Sequence, residues 1–245
     1  MQRNLLLTIS FDGTTYHGWQ VQENAVTVQQ TLQDALEHIC SRRDNIVGCS
    51  RTDSGVHANM YCCNIRTESA IECQKLVGAL NAVLPRDIAA LNCCEVDYDF
   101  HARYDCKSKE YIYKIWNSPN KNPFLYNHTL HYKYPLDEKF LSEQAKDFIG
   151  TYRFDSFCAA GSSVCDTERT VMNASVERDG DMVIFRVEAN GFLYNMVRIM
   201  TGTLIDISRG KIPADSIKNI ILAENRFAAG HTAPAHGLYL NKIYY

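Results

Sequence analysis

The chain lacks most of the features that mark membrane, secreted or fibrous proteins. Its 245 residues include only 6 prolines, 13 glycines and no low-complexity tract, which leaves little room for a long flexible linker. No apolar stretch approaches the length of a membrane span, and the short run at residues 5–7 meets Asp12 too soon to form a signal peptide. We therefore expect no membrane partner.

The chain also lacks the ligand spacing of a zinc site, because no Cys-x-x-Cys pair occurs among its ten cysteines. Two adjacent pairs, Cys62–Cys63 and Cys93–Cys94, would point to opposite faces of a strand and would chelate a metal poorly. Ten cysteines in 245 residues are too few for a disulfide scaffold. These absences predict a cytoplasmic protein with reduced thiols and no bound metal.

A strong positive charge is missing as well. The net charge is −3, so bulk charge does not indicate a nucleic-acid partner. Between residues 103 and 121, however, five basic residues stand against two acidic ones. The five are Arg103, Lys107, Lys109, Lys114 and Lys121. Charge alone leaves two interpretations open, a phosphate-binding stripe or an ordinary solvated strand face.

The composition is otherwise that of a globular protein, with 46% hydrophobic and 22% charged residues. Hydrophobic periodicity predicts strand, helix, strand, helix and strand in the first half, at residues 4–11, 28–40, 59–66, 72–84 and 87–96. In the second half the same periodicity predicts a strand around Tyr111 and a helix at 137–149. Further along it predicts strands at 170–178 and 182–189, helices at 191–208 and 213–224, and a strand at 238–245. Helices interrupted by hairpins favour an α+β fold.

Residues 48–58 form the densest candidate site. Small residues surround one carboxylate, Asp53, while Gly48 and Gly55 permit unusual backbone dihedrals. Arg51 and His57 flank the carboxylate with cationic or titratable groups. Such a loop is suited to presenting Asp53 in a cleft, although a tight turn closed by an Asx hydrogen bond would use the same residues.

An arginine in apolar surroundings is the second candidate. Arg198 lies in the apolar segment 191–200, and a buried lone charge costs about 3–5 kcal/mol unless it is paired. We predict that Asp53 is its partner and that the pair keeps Asp53 ionised by lowering its pKa. The alternative is that Arg198 extends to solvent.

The third candidate is Tyr111, which has lysines on either side of it in the sequence, Lys109 and Lys114. An aromatic ring near cations is suited to stacking on a base while the cations hold phosphates. The alternative, a half-buried strand tyrosine, is the commoner case.

These motifs together resemble the tRNA pseudouridine synthase A (TruA) family. The matching segments are Phe11-Asp12-Gly13 with Tyr16 and Gly18-Trp19-Gln20, Arg51 to Ala58, Phe100-His101-Ala102-Arg103, Tyr111 with Tyr113, Phe192 to Arg198, and Gly237-Leu238-Tyr239-Leu240. They run in the same order along nearly the whole chain, which makes chance similarity improbable. Ser50 and Ser54 depart from the family pattern, but both replace one small residue by another.

The resemblance implies a specific fold and activity. It implies two similar ferredoxin-like (RRM-like) halves, residues 1–105 and 106–245, with mainly antiparallel sheets side by side, helices on one face and an active-site cleft between the halves. It implies a homodimer that converts uridine to pseudouridine in the anticodon stem-loop of tRNA without a metal or organic cofactor.

The resemblance also implies roles for individual residues. Asp53 would be the catalytic nucleophile, Tyr111 the residue that stacks on the base, and Arg198 the partner of Asp53. Arg51 would help to hold the target nucleotide out of the stack. With Arg51, the substrate-binding residues would be His57, Arg103, Lys107 and Lys109.

Three other functions remain as alternatives. Asp53-Ser54-Gly55 matches the aspartic protease signature, but such enzymes need two aspartates and only one such triplet occurs. A non-catalytic RNA-binding module would keep Tyr111 and the basic segment without needing Asp53 paired to Arg198. A paralogue that modifies another RNA, such as ribosomal RNA, would carry the same motifs.

Overall fold

The computed structural model describes residues 2–161 and 164–245, which form two compact units. Unit 1 holds the chain up to Lys107 together with Tyr239–Tyr245, and unit 2 is Ser108–Leu238. The last residues of the chain therefore belong with the first unit. The division into functional halves at residues 105 and 106 stays a prediction.

Unit 1 is built from a strand–helix–strand–strand–helix–strand series. The elements are β1 (Arg3–Phe11), α1 (Val28–Cys40), β2 (Ile46–Gly48), β3 (His57–Thr67), α2 (Cys73–Val83) and β4 (Ile88–Val96). β1 lies between β4 and β3, and β2 pairs with β3, all antiparallel. The closing strand β10 (Leu238–Tyr244) runs parallel to β3 where Tyr239 faces His57. This order is that of a ferredoxin-like fold.

The sequence explains why the first elements form. In β1 the alternate residues Leu5, Leu7, Ile9 and Phe11 are all buried, as a strand with one face on the core requires. In α1 the buried residues Val28, Leu32, Ala35 and Leu36 follow the helical period. The Thr27 side chain caps the start of α1 by accepting a hydrogen bond from the Gln30 backbone N–H at 3.3 Å.

Unit 2 has the same kind of series in its own order. Its elements are β5 (Ser108–Trp116), β6 (Leu130–His131), α3 (Glu138–Lys146), β7 (Gly150–Arg153), β8 (Glu168–Asp179), β9 (Met182–Ala189), α4 (Met196–Ser208) and α5 (Ile217–Leu222). β5, β9, β8 and β7 are neighbours in that order, all antiparallel, and β6 adds a short parallel pair to β5. The predicted α+β class, with two similar halves and mainly antiparallel sheets, is confirmed.

The structure differs from the sequence prediction at several boundaries. Helix α4 begins at Met196, five residues after the predicted start, because Asn195 has a left-handed backbone with φ of 60°. Helix α5 is shorter than predicted and starts only at Ile217. The short strands β2, β6 and β7 were not predicted, since two to four residues give no periodic signal. Over the described residues, no helix is both long enough and apolar enough to cross a membrane.

Candidate active site

Asp53 lies in unit 1, in the loop at residues 49–56 that connects β2 to β3. The loop makes a turn in which the Val56 N–H donates to the Asp53 carbonyl oxygen at 3.2 Å. Gly55 has a positive φ of 76° in this turn, which explains why a glycine follows the Asp53-Ser54 pair. The Asp53 side chain is partly exposed, as a group that meets a substrate must be.

A second segment, the N-terminal turn at residues 12–19, holds this loop on both sides of Asp53. On one side, the Trp19 N–H donates to the Thr52 carbonyl oxygen at 3.3 Å. On the other side, the Tyr16 carbonyl oxygen accepts from the Gly55 N–H at 3.2 Å and from the Ser54 hydroxyl at 3.3 Å. The backbone that carries Asp53 is therefore fixed at its two neighbours.

Two glycines permit this close approach. A Cβ atom on Gly13 would collide with the Val56 carbonyl oxygen, and one on Gly18 would collide with the Thr52 carbonyl oxygen. Gly18 also has a positive φ of 82°, which side chains other than glycine rarely adopt. Gly13 and Gly18 thus both allow the N-terminal turn to pack against the loop that carries Asp53.

His57 is buried at the start of β3, with only 1% of its surface exposed. Its Nδ1 accepts a hydrogen bond from the Gly13 N–H at 3.0 Å and lies 3.0 Å from Asp12 Oδ1, while its ring stacks on Tyr239 at 4.6 Å. This placement suits a residue that holds the N-terminal turn. The predicted role of His57 in substrate binding stays a prediction.

The other predicted unit 1 residues differ from His57 in exposure. Arg51, Arg103 and Lys107 are all exposed. The Arg103 guanidinium lies 5.7 Å from the centre of the Tyr104 ring, a cation–π contact at the surface. Their side chains are accessible to a phosphate backbone.

Arg198 lies in unit 2, in the first turn of α4. Its Nε donates to the Ala233 carbonyl oxygen at 2.7 Å and its Nη1 donates to Asn195 Oδ1 at 2.6 Å. The Ala233 N–H donates back to the Arg198 carbonyl oxygen at 3.0 Å. The guanidinium is thus oriented within its own unit. Burial, followed by the positive charge of Arg198, lowers the pKa of His236 below its usual value.

Tyr111 lies on β5 and is buried, with its ring edge-to-face against Phe192 at 5.0 Å. Lys109, Tyr111 and Tyr113 alternate along β5, so they share one face of the strand. The Tyr113 hydroxyl donates to the Pro234 carbonyl oxygen at 2.7 Å, next to the residue that holds Arg198. Arg198 and Tyr113 therefore both bond the backbone of residues 233–234.

The basic segment does not form one uniform surface. Lys109 is buried and Lys114 is half-buried, and burial lowers the pKa of Lys114. Arg103, Lys107 and Lys121 are exposed. Of the five basic residues, only these three are exposed, and the choice between a phosphate-binding stripe and a solvated strand face stays open.

Arg198 is oriented by a segment at residues 230–236 that was not predicted from the sequence. The contact of this segment with α4 depends on a pair of glycines, because a Cβ on Gly202 would collide with the His231 carbonyl oxygen and one on Gly230 would lie 2.6 Å from Thr203 Cα. A glycine inside a predicted helix is the one signal that points to such an approach. The pairing of Asp53 with Arg198 stays a prediction.

Comparison with known proteins adds to this geometry. A family model described as tRNA pseudouridine synthase matches residues 7–105 and 144–245. Proteins named tRNA pseudouridine synthase A from Thermoanaerobacter sp. (strain X514) and Acetivibrio thermocellus are each 45% identical to the chain over 243 residues, covering 99% of the chain and 100% of the relative. One from Clostridium acetobutylicum is 43% identical over the same shares. The resemblance drawn from the motifs is confirmed, and the chain belongs to the tRNA pseudouridine synthase family, as a member of its TruA type.

Proposed function

We propose that this protein converts uridine to pseudouridine in tRNA, with the Asp53 carboxylate as the catalytic group. The observation that carries the proposal is the full-length match to proteins named tRNA pseudouridine synthase A, at 45% identity over 99% of the chain. The loop at residues 49–56, which is fixed by hydrogen bonds to the N-terminal turn, supports it as well. Asp53 is the one carboxylate of residues 48–58. The names of the relatives favour tRNA over ribosomal RNA as substrate, and the anticodon stem-loop is the target that we infer.

The reaction breaks the bond between N1 of the base and C1′ of the sugar, turns the base, and joins C5 to C1′. The hydrogen on C5 leaves to solvent as a proton and the freed N1 takes up a proton, so the conversion is a redox-neutral isomerisation. Asp53 acts at C1′, either as a nucleophile or by stabilising positive charge on the sugar. Both routes need an ionised carboxylate that is held still, and the hydrogen bonds around Thr52 and Gly55 support that requirement.

Arg198 is the group that we propose to pair with Asp53. A guanidinium near the carboxylate favours its charged form and fixes its direction. The contacts of Arg198 to Ala233 and Asn195 support this role, because they orient the fork of the guanidinium in advance.

Tyr111 is proposed to stack on the target base after the base leaves the helix stack. Extruding a base costs a few kcal/mol, and stacking on an aromatic ring offsets about 1–3 kcal/mol of that cost. The contact with Phe192 holds the Tyr111 ring, and Lys109 lies on the same strand face. Arg51, Arg103 and Lys107 are exposed and are proposed to contact the RNA backbone.

Two further proposals concern the setting of the enzyme. We infer that it works as a homodimer in the cytoplasm, as the family resemblance implies. Size measurement in solution tests the first proposal, and a mass near twice 27.9 kDa is expected.

The test of the function is release of tritium from tRNA labelled at C5 of uridine. The wild-type protein is expected to release tritium from tRNA and not from ribosomal RNA fragments. Asp53→Asn is expected to reduce turnover to below about one per cent while tRNA binding stays within about twofold, because the substitution removes the charge and keeps the shape. Asp99→Asn, at an exposed position outside the loop, is the matched control and is expected to keep full activity.

Three outcomes would contradict the proposal. Absence of tritium release by the wild-type protein would refute the activity. Residual activity of Asp53→Asn above a few per cent would refute the role of Asp53. Tritium release from ribosomal RNA but not from tRNA would refute tRNA as the substrate.

A further inference from the structure

We propose that Asp87 is a positioning residue for the catalytic loop and that it acts through Tyr16. This inference rests on the proposed function, because its consequence is a change in the rate of uridine isomerisation. Asp87 lies in the turn between α2 and β4, well separated in sequence from Asp53 and from the N-terminal turn.

Asp87 makes three hydrogen bonds to the N-terminal turn. Its carbonyl oxygen accepts from the Asp12 N–H at 2.8 Å. Its Oδ1 accepts from the Tyr16 hydroxyl at 2.7 Å, and its Oδ2 accepts from the Thr15 hydroxyl at 3.1 Å. One carboxylate therefore holds two consecutive side chains of the turn, and hydrogen bonds to a charged acceptor are roughly twice as strong as neutral ones.

Tyr16 connects this anchor to the catalytic loop. Its side chain is held by Asp87, and its own carbonyl oxygen accepts from the Gly55 N–H and the Ser54 hydroxyl. Burial, followed by the hydrogen bond to Asp87 and its negative charge, raises the pKa of Tyr16, so the phenol stays protonated and continues to donate. The same residue thus transmits the position of Asp87 to the two residues that follow Asp53.

The arrangement explains how a remote carboxylate affects the reaction. Asp53 sits between Thr52, which Trp19 holds, and Ser54 and Gly55, which Tyr16 holds. Loss of the bond between Tyr16 and Asp87 weakens the hold of the N-terminal turn on Ser54 and Gly55, and Asp53 is then less firmly aimed at C1′. A displacement of about 1 Å at a reacting group costs up to a hundredfold in rate.

The experiment compares Tyr16→Phe, Asp87→Ala and the double variant in single-turnover tritium release, with the dissociation constant for tRNA measured beside it. Each single variant is expected to lower the rate constant about tenfold or more with tRNA binding within about twofold. The double variant is expected to equal Asp87→Ala alone, because both substitutions break the same connection. All assays are run well below the measured Tm of each variant, so that loss of folded protein does not enter.

Tyr98→Phe is the matched control. This substitution also removes one hydrogen bond from a phenol in unit 1, because the Tyr98 hydroxyl donates to Gln2 Oε1 at 2.8 Å. Tyr98 lies outside the N-terminal turn. We expect it to leave the rate constant unchanged.

The outcomes separate this inference from the function on which it rests. An active wild-type protein whose Tyr16→Phe and Asp87→Ala variants keep the full rate constant overturns the inference and leaves the function intact. Multiplicative effects in the double variant overturn the route through Tyr16, as does weaker tRNA binding at an unchanged rate constant. A wild-type protein that releases no tritium refutes the function itself.

Discussion

Arg198 and Ala233 hold each other through two hydrogen bonds, although 35 residues separate them. Arg198 Nε donates to the Ala233 carbonyl oxygen at 2.7 Å, and the Ala233 N–H donates to the Arg198 carbonyl oxygen at 3.0 Å. The first turn of α4 is thereby joined to the segment at residues 230–236. An arginine that is already oriented loses little side-chain entropy when it meets a partner, which is the condition for a pre-organised site.

The first prediction concerns the identity of this side chain. Arg198→Ala is expected to lower the single-turnover rate constant about a hundredfold or more. The substitution removes the positive guanidinium that is proposed to stabilise the ionised Asp53 carboxylate. Arg198→Lys is expected to be nearly as slow, since an ammonium group cannot reproduce the planar fork that bonds both Ala233 and Asn195. Arg209→Ala, at the exposed end of the same helix, is the control. Substantial activity in Arg198→Lys would show that charge alone suffices.

A second prediction tests the close approach of α4 and the 230–236 segment. Gly202→Ala is expected to lower the free energy of unfolding by about 1–3 kcal/mol, because the new methyl group meets the backbone carbonyl of His231. Gly78→Ala is the control, since its Cβ would meet nothing within 4 Å on the exposed side of α2. Gly78→Ala is expected to raise the free energy of unfolding by at most about 1 kcal/mol, because alanine is a better helix former than glycine. Urea denaturation measures both, and equal stability changes would contradict the packing argument.

The third prediction follows from the lowered pKa of His236. Burial and the charge of Arg198 place the pKa of the folded state below the ordinary value of 6.5. In the window between these two values the unfolded chain binds more protons, so the folded protein loses stability as the pH falls through 6.5. His236→Gln is expected to remove that component. Denaturation at a series of pH values from neutral to mildly acidic measures it, and parallel profiles for both proteins would be evidence against a lowered pKa of the half-buried His236 imidazole.

The fourth prediction concerns salt. If exposed cations of unit 1 contact phosphates, the logarithm of the tRNA affinity falls linearly with the logarithm of salt concentration, with a slope of about −0.7 to −0.9 for each contact. Arg103→Gln combined with Lys107→Gln is expected to weaken binding and to flatten the slope by about one to two. Lys75→Gln removes an exposed lysine that pairs with Glu72 at 3.1 Å on α2, and it is expected to leave the slope unchanged. A flat slope in the wild type would exclude a phosphate-lined surface.

Much of the fold was accessible from the sequence because its elements are long and periodic. The alternation in β1 and the helical period in α1 placed both elements within a residue or two of their observed bounds. The predicted start of α4 at residue 191 was wrong, because the residues from Gly191 onward are mostly apolar and look helical. The left-handed backbone of Asn195 interrupts them, and hydrophobic periodicity does not indicate a backbone conformation of that kind. Short strands such as β2 exist only because a longer neighbour pairs with them.

Less of the candidate site than of the fold could be predicted from the sequence. Asp53, Arg198 and Tyr111 were predicted from the chemistry of their neighbours and from the family motifs, and their roles stay predictions. Tyr16 was found only as part of a motif, and its anchor Asp87 was not found at all. The segment that contains Ala233 was also missed, since backbone carbonyls bind through position and carry no sequence signature.

The sequence by itself determined which residue types are present and which local periods they follow, and those decided the elements, the family and the choice of Asp53 as the proposed catalytic carboxylate. Tertiary structure alone decided which segments hold that carboxylate in place. The bonds from Tyr16 to Gly55 and from Asp87 to Tyr16 join residues far apart in the chain, and such partners are chosen by the packing of the whole unit. Local sequence cannot specify them, because their geometry exists only after the strands and helices have assembled.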